Sequence, residues 1–133
     1  MITIKFLDDK KSIEIDAKTI VEAVEKALSN GIDLRHTDLR GADLRHTDLR
    51  HADLRGADLD YSCWPLCCGS LYVKIDKRIF CQLLYHTLRA GQSVDDPEVK
   101  KLFAIPEVVA LANQFHRVEE CGKIKTESEA DDE

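Results

Sequence analysis

No stretch of this sequence approaches the ~20 consecutive apolar residues that a membrane span requires. There is no basic surplus: 19 lysines and arginines stand against 25 aspartates and glutamates, a net charge of −6. Direct binding to DNA or RNA depends on clustered cations that displace counterions, so this balance argues against it. A glycine loop that could cradle phosphates is missing, as are a locatable Ser-His-Asp arrangement and a pocket of paired carboxylates. The N-terminus, Met1-Ile-Thr-Ile-Lys-Phe-Leu, runs straight into Asp8 and Asp9 without a secretory apolar core or cleavage site. The protein is expected to stay in the cytoplasm of the cell that makes it.

The five cysteines (Cys63, Cys67, Cys68, Cys81, Cys121) are odd in number and lack the spacing of a disulfide framework, so reduced thiols are expected. Together with His86 and His116 they hold enough ligand types for zinc. A clean Cys-x2-Cys pair is absent, however, and free cysteines usually pack as small apolar residues. Cys81 and His86 could suggest a nucleophile and its base. They sit five apart on one predicted helix, where near neighbours are three or four apart. No catalytic residue, metal or cofactor is expected.

What is present is order of an unusual period. Residues 2–15 alternate through Ile2, Ile4 and Phe6, pass Asp8-Asp9-Lys10-Lys11, and resume at Ile13 and Ile15, which predicts a hairpin. Thr19-Ile-Val-Glu22 opens a predicted helix with a capping box, and Asn30-Gly31 closes it. From Ile32 the chain reads in fives: Ile-Asp-Leu-Arg-His, Thr-Asp-Leu-Arg-Gly, Ala-Asp-Leu-Arg-His, Thr-Asp-Leu-Arg-His, Ala-Asp-Leu-Arg-Gly, Ala-Asp-Leu-Asp-Tyr. Leucine recurs at 34, 39, 44, 49, 54 and 59, and a small or apolar residue stands two positions before each. A period of five fits neither an α-helix nor a flat strand.

This pattern resembles the pentapeptide-repeat family, over 30 residues of the chain. The resemblance implies a short right-handed quadrilateral β-helix, with Leu34, Leu39, Leu44, Leu49, Leu54 and Leu59 as its interior column. Open ends of such a coil expose unpaired edges, so repeat arrays need caps. The N-terminal hairpin and helix are expected to cap one end and a helical C-terminal part the other. The expected divisions are a hairpin and capping helix (1–31), the repeat coil (32–66), a C-terminal strand and helices (67–125) and a disordered acidic tail (126–133). Within 67–125 the sequence predicts a strand at Leu71–Ile75 and a helix from Asp76 to about Arg89. A further helix starts at Asp96-Pro97 and is kinked or restarted at Ile105-Pro106; Glu119 onward reads as solvated. The fold class is mixed α and β.

The layout also looks like pentapeptide-repeat proteins encoded by bacteriophages and prophages. Some members of the family inhibit DNA-handling enzymes by imitating DNA. On that resemblance the chain is expected to be an inhibitor, anti-CRISPR or otherwise, of a host nucleic-acid-handling enzyme or defence complex such as a CRISPR surveillance complex. It would then act in the bacterial cytoplasm. The partner-binding acids would be Asp33, Asp38, Asp43, Asp48, Asp53 and Asp58, joined by Asp95, Asp96 and Glu98. The alternative is a non-catalytic interaction scaffold, monomeric or homodimeric. For the repeats alone, mutual neutralisation of Asp and Arg is the stronger reading, since five arginines offset most of the charge. His36, His46 and His51 share the last place of their repeats and are expected to point apart rather than to gather a metal.

Overall fold

Alternating apolar residues suit an extended strand, because a period of two puts Ile2, Ile4 and Phe6 on one face. In the computed structural model, which describes residues 1–126, β1 (Ile2–Phe6) and β2 (Ser12–Ile15) pair antiparallel, with Ile4 opposite Ile13. Ile4, Phe6 and Ile15 are buried. The helix α1 (Ile20–Ser29) starts where Thr19 Oγ1 accepts the Glu22 N–H at 3.2 Å, while Glu22 reaches back to the Lys18 N–H at 3.1 Å. This is a capping box whose return bond falls one residue further out than usual. Gly31, at φ 72°, ends the helix: its N–H donates to Leu28 O, and Ile32 N–H donates to Ala27 O. Both bonds of a Schellman motif are present, and the left-handed turn is one that glycine enters without steric cost.

Beyond Ile32 the backbone returns to itself about twenty residues later. Leu39 N–H donates to Asp58 O at 3.0 Å, and Asp58 N–H to Thr37 O at 2.9 Å. The same exchange links Leu44 and Ala42 with Cys63, and Leu54 and Ala52 with Lys74. Parallel bridges join Asp38 to Asp58, Asp43 to Cys63 and Asp53 to Lys74. Four five-residue steps therefore complete one circuit, and the repeats form a fold of the β-helix type. The short strand β3 (Thr37–Asp38) pairs antiparallel with β1, giving a three-stranded sheet in the order β2-β1-β3. The six leucines are all buried, Leu44, Leu49 and Leu54 completely. Each is worth roughly 1.5–3 kcal/mol of apolar burial. Thr37, Thr47, Ala52 and Ala57 are buried with them.

The fifth position is where the coil turns. Gly31, His36, Gly41, His46, His51, Gly56 and Tyr61 all have φ between 62° and 78°. Glycine takes this left-handed conformation freely, whereas other residues pay roughly 1–2 kcal/mol. Stacking adds a second demand: a Cβ on Gly56 would collide with the ring of His36, twenty residues earlier. We expect His46→Val to lower the melting midpoint of the repeat unit by the equivalent of about 1–2 kcal/mol, because a branched Cβ is least tolerated there. His46→Gly should not lower it. Thermal unfolding of the two variants checks this, and equal destabilisation would mean that the left-handed corner does not select the residue.

After Tyr61 the next left-handed residue is Tyr72, eleven places on rather than ten. The extra residue is absorbed in the segment 62–71, which includes a 3-10 turn at Cys68–Ser70. Here the structure corrects two expectations. Leu71–Ile75 is not an independent strand; among its residues only Lys74 is bridged, to Asp53. Nor does the stacking stop at residue 66. Leu49 N–H donates to Gly69 O and Leu54 N–H to Lys74 O, so these residues extend the second circuit. A Cβ at Gly69 would lie 2.5 Å from Thr47 O, which explains the glycine at this close approach.

The chain divides into two compact units, Met1–Asp76 and a second beginning at Lys77. The second contains α2 (Lys77–Gly91), α3 (Pro97–Phe103), α4 (Pro106–Ala112) and α5 (Val118–Cys121). Proline at the first position of α3 and of α4 suits helix starts, where its missing N–H costs nothing. Tyr85, Leu88, Val109, Ala112, Phe115, Val118 and Ile124 form the core, with α4 packed against both α2 and α3. The expectation that Glu119 onward is solvated is overturned at Ile124, which is 1% exposed. Asn113 binds the Ile124 main chain on both sides, Nδ2 to its carbonyl and Oδ1 from its N–H, each at 2.8 Å. Tyr85 Oη donates to Gly122 O at 2.6 Å. Of the expected acidic tail, 126–133, all but Thr126 lies outside the described residues.

Candidate protein-binding surface

Each Asp-Leu-Arg unit folds its charges onto each other. Asp43 Oδ1 accepts the Arg45 backbone N–H at 3.2 Å, closing an Asx turn, and the same carboxylate takes Arg45 Nε and Nη2 at 2.8 and 2.7 Å. The turn brings the arginine stem alongside, so the two-point fork follows from the spacing. Asp33–Arg35, Asp38–Arg40, Asp48–Arg50 and Asp53–Arg55 repeat it, with closest contacts between 2.6 and 2.8 Å. The sixth unit has Asp60 where arginine would stand. Asp58 accepts the Asp60 N–H at 3.0 Å, and Arg40 Nε lies 3.9 Å from its other oxygen.

The six aspartates do not form one row. Asp58 stacks beside Asp38, but Cys63 follows Asp43, Lys74 follows Asp53, and Gly69 takes the equivalent place after Asp48. Asp95, Asp96 and Glu98 belong to the second unit. There Asp95 pairs with Lys100 at 2.7 Å, and Asp96 caps α3 by accepting the Glu98 and Val99 N–H groups. Sequence reasoning grouped nine acids by sign. The twenty-residue circuit, which decides which of them are neighbours, becomes clear only when the backbone bonds are seen.

The Arg45 guanidinium bonded to Asp43 pulls its carboxyl down from the ordinary 3.8 to about 2, and Asp48 and Asp53 are held at about 2 by Arg50 and Arg55. Asp33 and Asp38 are lowered by Arg35 and Arg40 in the same way. A folded value below the unfolded one means that the unfolded chain binds more protons as the pH falls. The stability these pairs supply is therefore complete above about pH 4 and is lost between about 4 and 2. We expect the melting midpoint of the repeat unit to be flat with respect to these pairs from pH 5 to 8 and to fall below pH 4. Circular dichroism melts across pH 2–8 test this: an Arg45→Gln variant should melt slightly lower than the parent above pH 4 and converge with it toward pH 2, and a difference that does not change with pH would overturn it.

His36, His46 and His51 are exposed corner residues. His51 stacks on Tyr72, ring centroids 5.1 Å apart and planes 7° from parallel. Cys81 is buried, while His86 is exposed and lies edge-on to Phe115. All five cysteines are free thiols, and among the described residues no three His, Cys, Asp or Glu side chains gather as a metal site would require. Among them, too, no helix is long and apolar enough to cross a membrane. The apolar surface of the first unit is concentrated late in the coil: Tyr61, Leu66 and Tyr72 are 78%, 91% and 73% exposed. Sequence reasoning missed these exposed side chains; their signal was the break in the fivefold pattern after Tyr61.

Residues 30–62 match the family model of pentapeptide repeats, in 8 copies. No curated protein and no solved structure matches the chain.

Proposed function

We propose that this pentapeptide-repeat chain works as a non-catalytic protein-binding module. Its coil is read as right-handed and four-sided, with the hairpin and α1 capping one end. Proteins built on such repeats commonly mediate protein–protein interactions. The observation that carries the reading is the exterior of the coil: carboxylates already held by guanidinium groups, with large apolar side chains exposed on the second circuit at Tyr61, Leu66 and Tyr72. Internally paired charges give little long-range field, so recognition falls to short-range contacts, which exposed leucine and tyrosine side chains can make.

Within this class, the scaffold reading is better supported than the inhibitor reading. A DNA mimic that blocks a host nucleic-acid-handling enzyme, for example a phage product acting on a CRISPR surveillance complex in the bacterial cytoplasm, needs a clustered negative face. The stacked pair Asp38 and Asp58, which share Arg40, is the observation in its favour. The discriminating experiment measures DNA binding by a topoisomerase and by a CRISPR surveillance complex, with and without this protein, across a salt series. Displacement of DNA that fades with salt supports the inhibitor; binding alongside DNA without salt dependence supports the scaffold. A gel shift of DNA by this protein alone would sink both.

A further inference from the structure

We propose that the cleft beside the bulge at Trp64–Cys68 seats an acidic segment of the protein partner, which inserts one apolar side chain. The proposal rests on the protein-binding reading above and names the face used. The bulge is where the coil takes eleven residues between left-handed corners instead of ten. It turns Leu66 outward, 91% exposed, and opens a cleft of about 660 Å³ against the preceding circuit, lined by Arg45, His46, Arg50, Trp64, Leu66 and Cys67 among others. A cleft of this size suits an inserted side chain with its flanks, since small-ligand pockets run from about 300 to 1,000 Å³. A break in an otherwise regular repeat that exposes apolar surface costs stability, and such breaks concentrate at functional sites.

The rim offers the occupant charged donors. Asp48 is the single carboxylate among the lining residues, against the guanidinium groups of Arg45 and Arg50. Each arginine spends Nε and Nη2 on its own aspartate, and among the described residues neither Nη1 has a partner. These outward donors match carboxylates flanking the inserted side chain, as charge-assisted bonds to groups that need no rearrangement. The net charge of −6 opposes an acidic partner at long range. Five of those charges lie in residues 127–133, which leaves −1 for the rest of the chain. At the rim each guanidinium is already balanced by its own aspartate, so the partner's carboxylates are held by short-range bonds to the remaining guanidinium N–H groups rather than by net charge.

The test selects binders of the full chain from a random dodecapeptide display library and then measures one selected peptide by fluorescence anisotropy. The expected peptides carry Leu, Phe or Trp flanked by Asp or Glu. Leu66→Asp, at an exposed side chain, should weaken binding at least tenfold without shifting the melting midpoint, and Arg50→Gln should weaken it as much while lowering the midpoint no further than loss of the exposed Asp48 pair does. In alkylation with iodoacetamide, the peptide should protect Cys67 and Cys68 and leave Cys121 reactive. Peptides that bind both variants equally well would leave the protein-binding reading intact and overturn the cleft. So would the enrichment of no peptide, displacement of the peptide by a single-stranded oligonucleotide, or a dimer in sedimentation that Leu66→Asp dissolves.

Discussion

Leu44→Asp is expected to unfold the first unit. Leu44 is fully buried in the middle of the leucine column. Truncating such a residue to alanine already costs about 2–5 kcal/mol. A carboxylate in its place adds an uncompensated charge inside a coil whose interior holds leucine, alanine and threonine. Domain stabilities run from about 5 to 15 kcal/mol, so little or nothing would remain. The comparison is Arg45→Ala one residue later, a side chain 68% exposed whose loss should lower the melt only slightly, by no more than an exposed ion pair supplies. Circular dichroism melts of the two proteins decide it, and equal midpoints would mean that the inward register is wrong.

Ile124→Asp should have a comparable effect on the second unit. Ile124 packs in the core with Tyr85, Val109 and Phe115, and Asn113 holds its main chain from both sides. The substitution places a charge in that core and loses the isoleucine contacts, beyond the roughly 2–5 kcal/mol of truncation alone. Because the chain divides after Asp76, amide exchange should show protection lost from residue 77 onward while Leu39, Leu44 and Leu54 keep theirs. Loss of protection in both units together would mean that they unfold as one.

The leucine column is legible in the sequence because one residue type recurs without a miss at a fixed step. The hairpin and α1 are legible because alternation and capping act over a few residues. Even the corners leave a trace: glycine and histidine exchange at the fifth position because both tolerate a left-handed backbone. Ile124 is not legible. It stands alone between Lys123 and Lys125, and its burial depends on Asn113, eleven residues earlier. The candidate surface is half legible. The Asp-x-Arg spacing announces the pairs, but not which acids are neighbours, because column neighbours lie about twenty residues apart, where Cys63 and Lys74 interrupt the aspartates. The bulge is invisible for another reason: the residue inserted between Tyr61 and Tyr72 leaves the composition unchanged and shifts only the phase of the later corners.

That phase bears on how such a chain can change its length. The written unit is five residues, yet the contacts that lock the corners connect residues twenty apart. Removing one pentapeptide, say residues 42–46, would leave every local rule satisfied and still rotate the partnership by one step. His36 would then come to face Tyr61 instead of Gly56, whose missing Cβ makes room for the imidazole. Deletions and duplications in this coil are therefore silent to the pattern, yet they change which corner residues meet unless they arrive four repeats at a time.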